Sequence, residues 1–390
     1  MTRRHGPSVA VVGGGIAGAS AAYWLAHSRG CGPITLVEAE PTLAHHTTGR
    51  SAAQLIPNLG APPIRALTLA SVPFLREPPP GFAEVGLVTP RALITLAPPG
   101  EEAAAESHLG EATRLDPGAR GLSAAEAVEA FPALRQAAVG AAVLEPSCDE
   151  LDVAALHHGF IAGARALGTS VLRSWRLART ERSAGRWTLV ADDGRRLEAD
   201  LVVNAAGAWG DVVADLCGVA PMGLQPRRRT AFMTPSQWER SARWPMVVDV
   251  SHRWYAKPDG AQFLCSPGDQ TPSPPCDAKP DELDVARAIA AINAATTLNI
   301  RTVASAWAGL RTFAPDESMV IGPDPGQEAF LWCVGQGGTG IQSAPGAGRL
   351  LADLGLSGEP SEFFDGVRLD LPGLTPARGC PSRAPDRPAT

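Results

Sequence analysis

Ammonium groups are nearly absent from this sequence: Lys257 and Lys279 are its only lysines, and the remaining positive charge is arginine. The formal charge is −6, from 34 lysines and arginines against 40 aspartates and glutamates, and no basic run exceeds Arg227, Arg228 and Arg229. A nucleic-acid partner is disfavoured, because phosphate backbones are met by broad basic faces. The seven cysteines are odd in number and scattered, with neither a CxxC pair nor a nearby histidine pair, which argues against a disulfide framework or a bound metal. No apolar run is long enough for a membrane span. The polar start Met1 to Ser8 leads straight into strand material rather than a signal segment, so a cytoplasmic location is expected.

What is present suits a folded enzyme. With 390 residues, 45% of them hydrophobic and 19% charged, the chain can bury two cores, and two domains sharing one cleft are expected. Val9-Ala10-Val11-Val12 is a short apolar run of the kind buried on both faces, and it stops at Gly13-Gly14-Gly15. Gly13, Gly15 and Gly18 fit GxGxxG, and Ile16, Ala17 and the residues to His27 predict a helix. Glycines let the backbone approach a pyrophosphate, and the helix N-terminus offers N–H groups and a positive dipole end. A second apolar run, Ile34 to Val37, ends at Glu38, twenty residues beyond Gly18, where a carboxylate grips ribose hydroxyls. That carboxylate disfavours a 2′-phosphate and leaves FAD or NAD as the dinucleotide.

The next segment, His45-His46-Thr47-Thr48-Gly49-Arg50-Ser51-Ala52-Ala53-Gln54, resembles the D-amino acid oxidase/dehydrogenase superfamily of FAD enzymes. So do Leu201 to Trp209, containing Ala206 and Gly207, and Phe330 to Val334 followed by Gly335-Gln336-Gly337-Gly338-Thr339-Gly340-Ile341-Gln342. The runs Leu224 to Phe232, Trp254 to Pro258 and Trp307 to Phe313 look like those of D-arginine dehydrogenases and related D-amino acid dehydrogenases, so the likeness extends from about Val9 to Gln342. It implies an α/β, Rossmann-like FAD-binding domain that is discontinuous in sequence (1–80, 145–215 and 325–374), joined to an α+β substrate domain built on an antiparallel sheet (81–144 and 216–324). Residues 375–390, rich in Pro and Arg, are expected to be a disordered tail. His157 and His158 fall within a predicted helix over 151–166 and find no metal-ligand partners, which leaves them a packing or surface role.

The resemblance also implies roles. Gly13, Gly15, Ile16, Ala17, Gly18, Glu38, Thr48, Arg50, Ser51, Ala52, Ala53, Ala206, Gly207, Trp209, Gly309, Gly337, Gly338, Thr339, Gly340 and Ile341 would surround non-covalently bound FAD. Backbone N–H groups around Gly338 would meet the flavin edge that gains negative charge on reduction. Arg228 and Arg311 would fork onto a substrate carboxylate with the Tyr255 hydroxyl, since arginine matches a carboxylate bidentately. Arg227 and Arg229, alternating away from Arg228 along a strand, would face elsewhere.

Arginine-oxidising relatives carry His, Thr and Tyr where this chain has Gln54, Ile56 and Leu59, and Glu where it has Leu93. Without that Glu, a cationic side chain would be desolvated unpaired. The expectation is therefore C–N oxidation, to an imine and then a 2-oxo acid, of an apolar D-amino acid or a cyclic imino acid, with oxygen or a quinone-like acceptor reoxidising the flavin. A 2-hydroxy acid oxidase, a glycine or sarcosine oxidase, and a flavin-binding biosynthetic partner without turnover remain alternatives.

Overall fold

The computed structural model describes residues 6–238 and 241–379. Its first sheet has six strands in the order Val320–Asp324, Gln327–Val334, Leu201–Asn204, Val9–Val12, Ile34–Val37 and Ser170–Leu172. All neighbours run parallel except the edge pair Val320–Asp324 and Gln327–Val334. Val9–Val12 is central and buried throughout, as its unbroken apolar run requires. Helix Ile16–His27 follows it and packs against helices Val153–Ala166 and Ala344–Leu356. The approach is close: Ser20 Oγ donates to the Ala344 carbonyl at 2.6 Å, and a Cβ on Gly348 would stand 2.2 Å from Ser20 Oγ.

The second large sheet has eight strands: Ser305–Phe313, Gln225–Pro235, Gln262–Ser266, Tyr255–Asp259, Met246–Asp249, Leu93–Ala97, Ala141–Glu145 and Arg120–Leu122. It is antiparallel apart from the pair Met246–Asp249 and Leu93–Ala97. Period-two alternation splits its side chains cleanly. Ile94, Leu96, Phe232, Val247, Ala256 and Phe263 enter one core with residues of helix Glu282–Ala295. Leu93, Ala231, Met246, Val248 and Tyr255 lie on the opposite face, with Ala52 and Ile56 against them. That second face looks onto the cleft.

A short sheet of Gln54–Leu55, Asp149–Leu151 and Val88–Pro90 borders the cleft. It is tied to the large sheet by Glu150, which accepts from the Lys257 ammonium and from Arg91 Nε at 2.7 Å. Lys257 is 1% exposed, so this pairing is what permits an ammonium there. Ser170–Leu172 joins the six-stranded sheet, while Leu177–Ser183, Arg186–Ala191 and Arg196–Ala199 form an antiparallel three-stranded sheet of their own.

The first sheet already resumes at Val320, inside the stretch 216–324 expected for the substrate domain. The tail expectation is corrected over 375–379: Arg378 is held by Asp316, at 2.6 Å to Oδ2, and by the Ser318 carbonyl at 3.0 Å, while Leu374 is buried just before it. Residues 380–390 lie outside the described residues, as do residues 1–5 of the polar start. Among the described residues no helix is long and apolar enough to cross a membrane.

Candidate functional site

Three adjoining cavities run along the junction of the two large sheets. The first, about 280 Å³, is lined by Gly13, Glu38, Glu40, His45, His46, Ala206, Trp209 and Val212 among others. It shares Gly15, Thr47, Thr48, Ala205, Gly207 and Ala208 with a second of about 130 Å³, which continues past Ile16, Ala17, Gly309, Gly337, Gly340 and Ile341. The second in turn shares Ser51, Ala52, Arg229, Tyr255, Arg311, Gly338 and Ile341 with a third of about 290 Å³.

The glycine turn has the geometry a phosphate needs. Gly13 has φ +113°, and a Cβ there would stand 2.4 Å from the Ala205 carbonyl oxygen. The N-cap residue of helix Ile16–His27, Gly15, has no side chain and the first turn has no acidic residue, so only the neutral Thr48 hydroxyl meets its positive end, which suits an anion. Glu38 folds back on this turn, accepting from Gly14 N at 2.6 Å and from Glu40 N at 2.8 Å. Beneath it, buried His157 shares a hydrogen bond with the Gly14 carbonyl at 3.0 Å, and desolvation holds its pKa below the ordinary histidine value.

The other expected cofactor residues divide by position. Thr48 accepts from Ile16 N at 3.0 Å and bridges helix and loop. Arg50 lines the trough, but its guanidinium is engaged by the Ala308 carbonyl at 2.7 Å and by Asp277 at 2.6 Å, which fastens the loop to strand Ser305–Phe313. Gly18 lines none of these three cavities; a Cβ there would lie 1.9 Å from the Gly13 carbonyl oxygen, so it serves helix–turn packing. Ala53 lines the third cavity rather than the trough, and Thr339 is buried with its hydroxyl on the Gln336 carbonyl at 2.9 Å.

Trough and residues together fit an extended dinucleotide. The turn admits a pyrophosphate, and His46 and Trp209 set flat rings 4.8 Å apart at one end, where Val212 stands 47% exposed. Small residues line the middle, where a flat ring system would have to lie close to the backbone.

Arg311 and Tyr255 face both the trough and the third cavity, and Arg228 does not. The antiparallel register explains the correction. Arg227 stands opposite Arg311, Arg228 opposite Leu310 and Arg229 opposite Gly309, so Arg311 shares a face with Arg227 and Arg229. Arg228 points away into Asp269 at 3.0 Å and Asp284 at 2.7 Å. Arg227 reaches Glu317 at 2.8 Å and the Phe313 ring at the strand end. Arg229 enters the cavity beside side-chain-free Gly309, its Nε donating to the Asp269 carbonyl at 2.8 Å. The alternation was read correctly and assigned to the wrong face, because only the register with Arg311 decides it.

Among the described residues Arg311 has no hydrogen bond or ion pair. Desolvation first, then the neighbouring Arg229, push its pKa down to about 10. Gln54, Ile56, Leu59 and Leu93 all line the third cavity, as expected of pocket residues, and Met246 and Val248 extend its apolar wall. Gln54 Nε2 donates to the Arg91 carbonyl at 2.9 Å. Sequence reasoning missed Arg229, Asn58, His108, Met246, Val248 and His252 here; they come from strands, loops and the helix Glu102–Leu115, whose mutual placement no motif reveals.

A Rossmann-type sheet with an open helix terminus, running into a cleft that holds an unneutralised guanidinium, defines a dinucleotide-dependent oxidoreductase. The chain belongs to the DAO family of FAD-dependent oxidoreductases, whose sequence model matches residues 8–354. Its cofactor is FAD. It is 26% identical over 408 residues to the FAD-dependent oxidoreductase domain-containing protein 1 of Bos taurus, covering 90% of this chain and 81% of that protein. Among solved structures it is similar to L-proline dehydrogenase from P. horikoshii, with TM-score 0.82, 20% identity and coverage of 96% and 98% of the two chains. It is also similar to glycine oxidase from Geobacillus kaustophilus, with TM-score 0.78, 22% identity and coverage of 92% and 96%. At these identities the structural likeness is one of fold.

Proposed function

We propose that this chain oxidises the C–N bond of a small α-amino acid with an apolar side chain, or of a cyclic imino acid, to the imine, which water then converts to a 2-oxo acid. The observation that carries this reading is the composition of the third cavity. Two guanidiniums and a phenol stand at its trough end, and Ile56, Leu59, Leu93, Met246 and Val248 form its wall. Bound FAD would supply a two-electron acceptor in the adjoining trough, held by the glycine turn, the Thr47 to Ala52 loop and the Gly337 to Ile341 turn. Arg311, Arg229 and Tyr255 would grip the carboxylate and so fix which substrate hydrogen faces the trough, a matter of orientation.

The wall disfavours a cationic side chain. Leu93 is 3% exposed among apolar neighbours, and the one carboxylate among the described residues that line this cavity, Glu111, is already paired with Arg65 at 3.1 Å. D-Arginine and D-lysine would be desolvated without a counter-charge. Two solved structures of this fold are named for proline and glycine, which are small imino and amino acids. Non-covalent FAD is supported by the lining of the second cavity, where among the described residues there is neither histidine nor cysteine.

Anaerobic mixing of the yellow protein with amino acids of both hands, cyclic imino acids and 2-hydroxy acids tests the reading. Apolar D-amino acids or cyclic imino acids are expected to bleach the flavin at the lowest concentrations. Bleaching by D-arginine or by a 2-hydroxy acid at equal concentration would overturn the substrate assignment. Reoxidation by oxygen set against a quinone-like dye, followed in the same cuvette, then assigns the acceptor.

A further inference from the structure

Oxidation of a C–N bond needs the nitrogen lone pair, yet an α-amino acid arrives near neutral pH as an ammonium. A proton must leave before the C–H electron pair can. The residues lining the third cavity narrow the choice of acceptor. Arg65 and Glu111 are paired with each other. His108 Nε2 is engaged by Glu145 at 2.7 Å and by Thr95 Oγ1 at 3.1 Å. Arg229 and Arg311 are cations, and Tyr255 is a phenol at the carboxylate end. Two imidazoles remain: His108 keeps only Nδ1 unengaged, whereas His252 has no side-chain hydrogen bond among the described residues and lies near Arg229 and Arg311 at the carboxylate end, which makes it the better placed.

Its placement is built by the turn that carries it, between strands Met246–Asp249 and Tyr255–Asp259. The Asp249 carboxylate gathers Ser251 N and Arg253 N, each at 3.1 Å, and the Arg253 guanidinium, while His252 N donates to the Asp249 carbonyl at 2.8 Å. The turn so formed holds His252 at φ +56°, a conformation costing a side chain on the order of 1 kcal/mol that glycine would avoid. Asp249 thus fixes the backbone, and the imidazole is delivered to the cavity wall.

Resting on the amine-oxidation reading above, we propose that His252 is the proton acceptor for the substrate ammonium. One ammonium N–H bond breaks and an imidazole N–H bond forms. The freed lone pair becomes the C=N π bond as the C–H electron pair leaves for the cofactor, and the imidazolium passes its proton to solvent through the open side of the cavity. The charged groups acting on His252 agree with this role. Desolvation first, then Arg229, His108 and Arg311, lower its pKa, with Asp249 alone opposing, so it enters the cycle as the neutral base. The same two guanidiniums disfavour the ammonium form of a substrate amine beside them.

His252→Gly is the test, because glycine suits φ +56° and leaves the turn intact. Anaerobic flavin reduction is followed over a range of pH with an amine that reduces the parent protein. At about pH 7 the limiting rate of the variant is expected to fall by about 10²-fold, with the half-saturating concentration little changed. The rate should climb back towards the parent's by about pH 10, where the substrate sheds its own proton, and free imidazole should restore it near neutrality. A loss equal at every pH and deaf to imidazole, or no loss at all, overturns the assignment while leaving amine oxidation standing. Failure of every amine to reduce the parent at any pH sinks both.

Discussion

Arg311 carries a charge that the resting protein does not neutralise. Its guanidinium is desolvated, lies near Arg229 and has no carboxylate partner, so the folded chain bears a cost that a bound carboxylate would relieve. Because its folded-state pKa lies below the ordinary arginine value, the charged form is disfavoured by folding. Losing that charge should therefore stabilise the protein at neutral pH. Arg311→Met is expected to raise the unfolding free energy of substrate-free protein by on the order of 1 kcal/mol. It should also raise the amino acid concentration for half-reduction by about 30-fold or more. Arg228→Met should do the reverse, lowering stability by on the order of 2 kcal/mol by stranding Asp269 and Asp284, with little change in half-reduction. Melting curves and anaerobic titrations of the two variants side by side would show it, and matching behaviour would mean the clamp is misplaced. At this scale the sequence was informative about residue type more than direction. That an arginine follows Trp307-Ala308-Gly309-Leu310 could be seen in the text of the chain. Which of three consecutive arginines joins it depends on a strand register that local pattern does not encode.

Among elements, those with one local cause were the legible ones. Helix Ile16–His27 has its expected bounds because a glycine turn starts it and apolar residues sustain it. Strand Val9–Val12 is visible as an unbroken buried run. Strand Ser170–Leu172 is not legible in this way, since three residues carry no periodicity that separates a parallel edge strand from an antiparallel one. The turn after strand Gln327–Val334 falls between these cases. Its glycines announced a demanding backbone, and the structure supplies the reason at two of them. Gly337 has φ +52°, and a Cβ there would meet the Phe313 ring at 2.6 Å; at Gly338 a Cβ would meet Arg311 Nη1 at 2.9 Å. Gly337→Ala combines a left-handed backbone with a ring clash, so the turn must shift and deform the trough wall it forms. FAD retention through gel filtration should fall at least tenfold for Gly337→Ala, whereas Gly260→Ala, also left-handed but facing open space, should keep the parent's yellow colour and lose only about 1 kcal/mol of stability. Equal colour in the two would separate this turn from cofactor binding.

For the molecule as a whole, the trough proposed for the cofactor lies where the two large sheets meet. Residues lining the trough come from the Gly13 turn, the loop after Glu38, the end of strand Leu201–Asn204, the cleft strands Gln225–Pro235, Tyr255–Asp259 and Ser305–Phe313, and the Gly335 turn. A ligand touching segments so far apart in sequence binds the assembled fold and has no comparable site on the unfolded chain. Linkage then fixes the size of its effect: free FAD at about 1,000 times its dissociation constant adds about 4 kcal/mol to the unfolding free energy. Flavin-stripped protein should therefore melt at a lower temperature, and the melting temperature should climb with the logarithm of added FAD. Because the trough joins both sheets, tryptophan fluorescence and far-ultraviolet circular dichroism should report one coincident transition in the loaded protein. Trp187 and Trp332 in the first core and Trp254 in the second give the fluorescence a view of both. Two separate transitions in protein that turns yellow, only one of them moving with FAD, would place the flavin on one sheet alone, and the third cavity could then no longer be read as its substrate chamber.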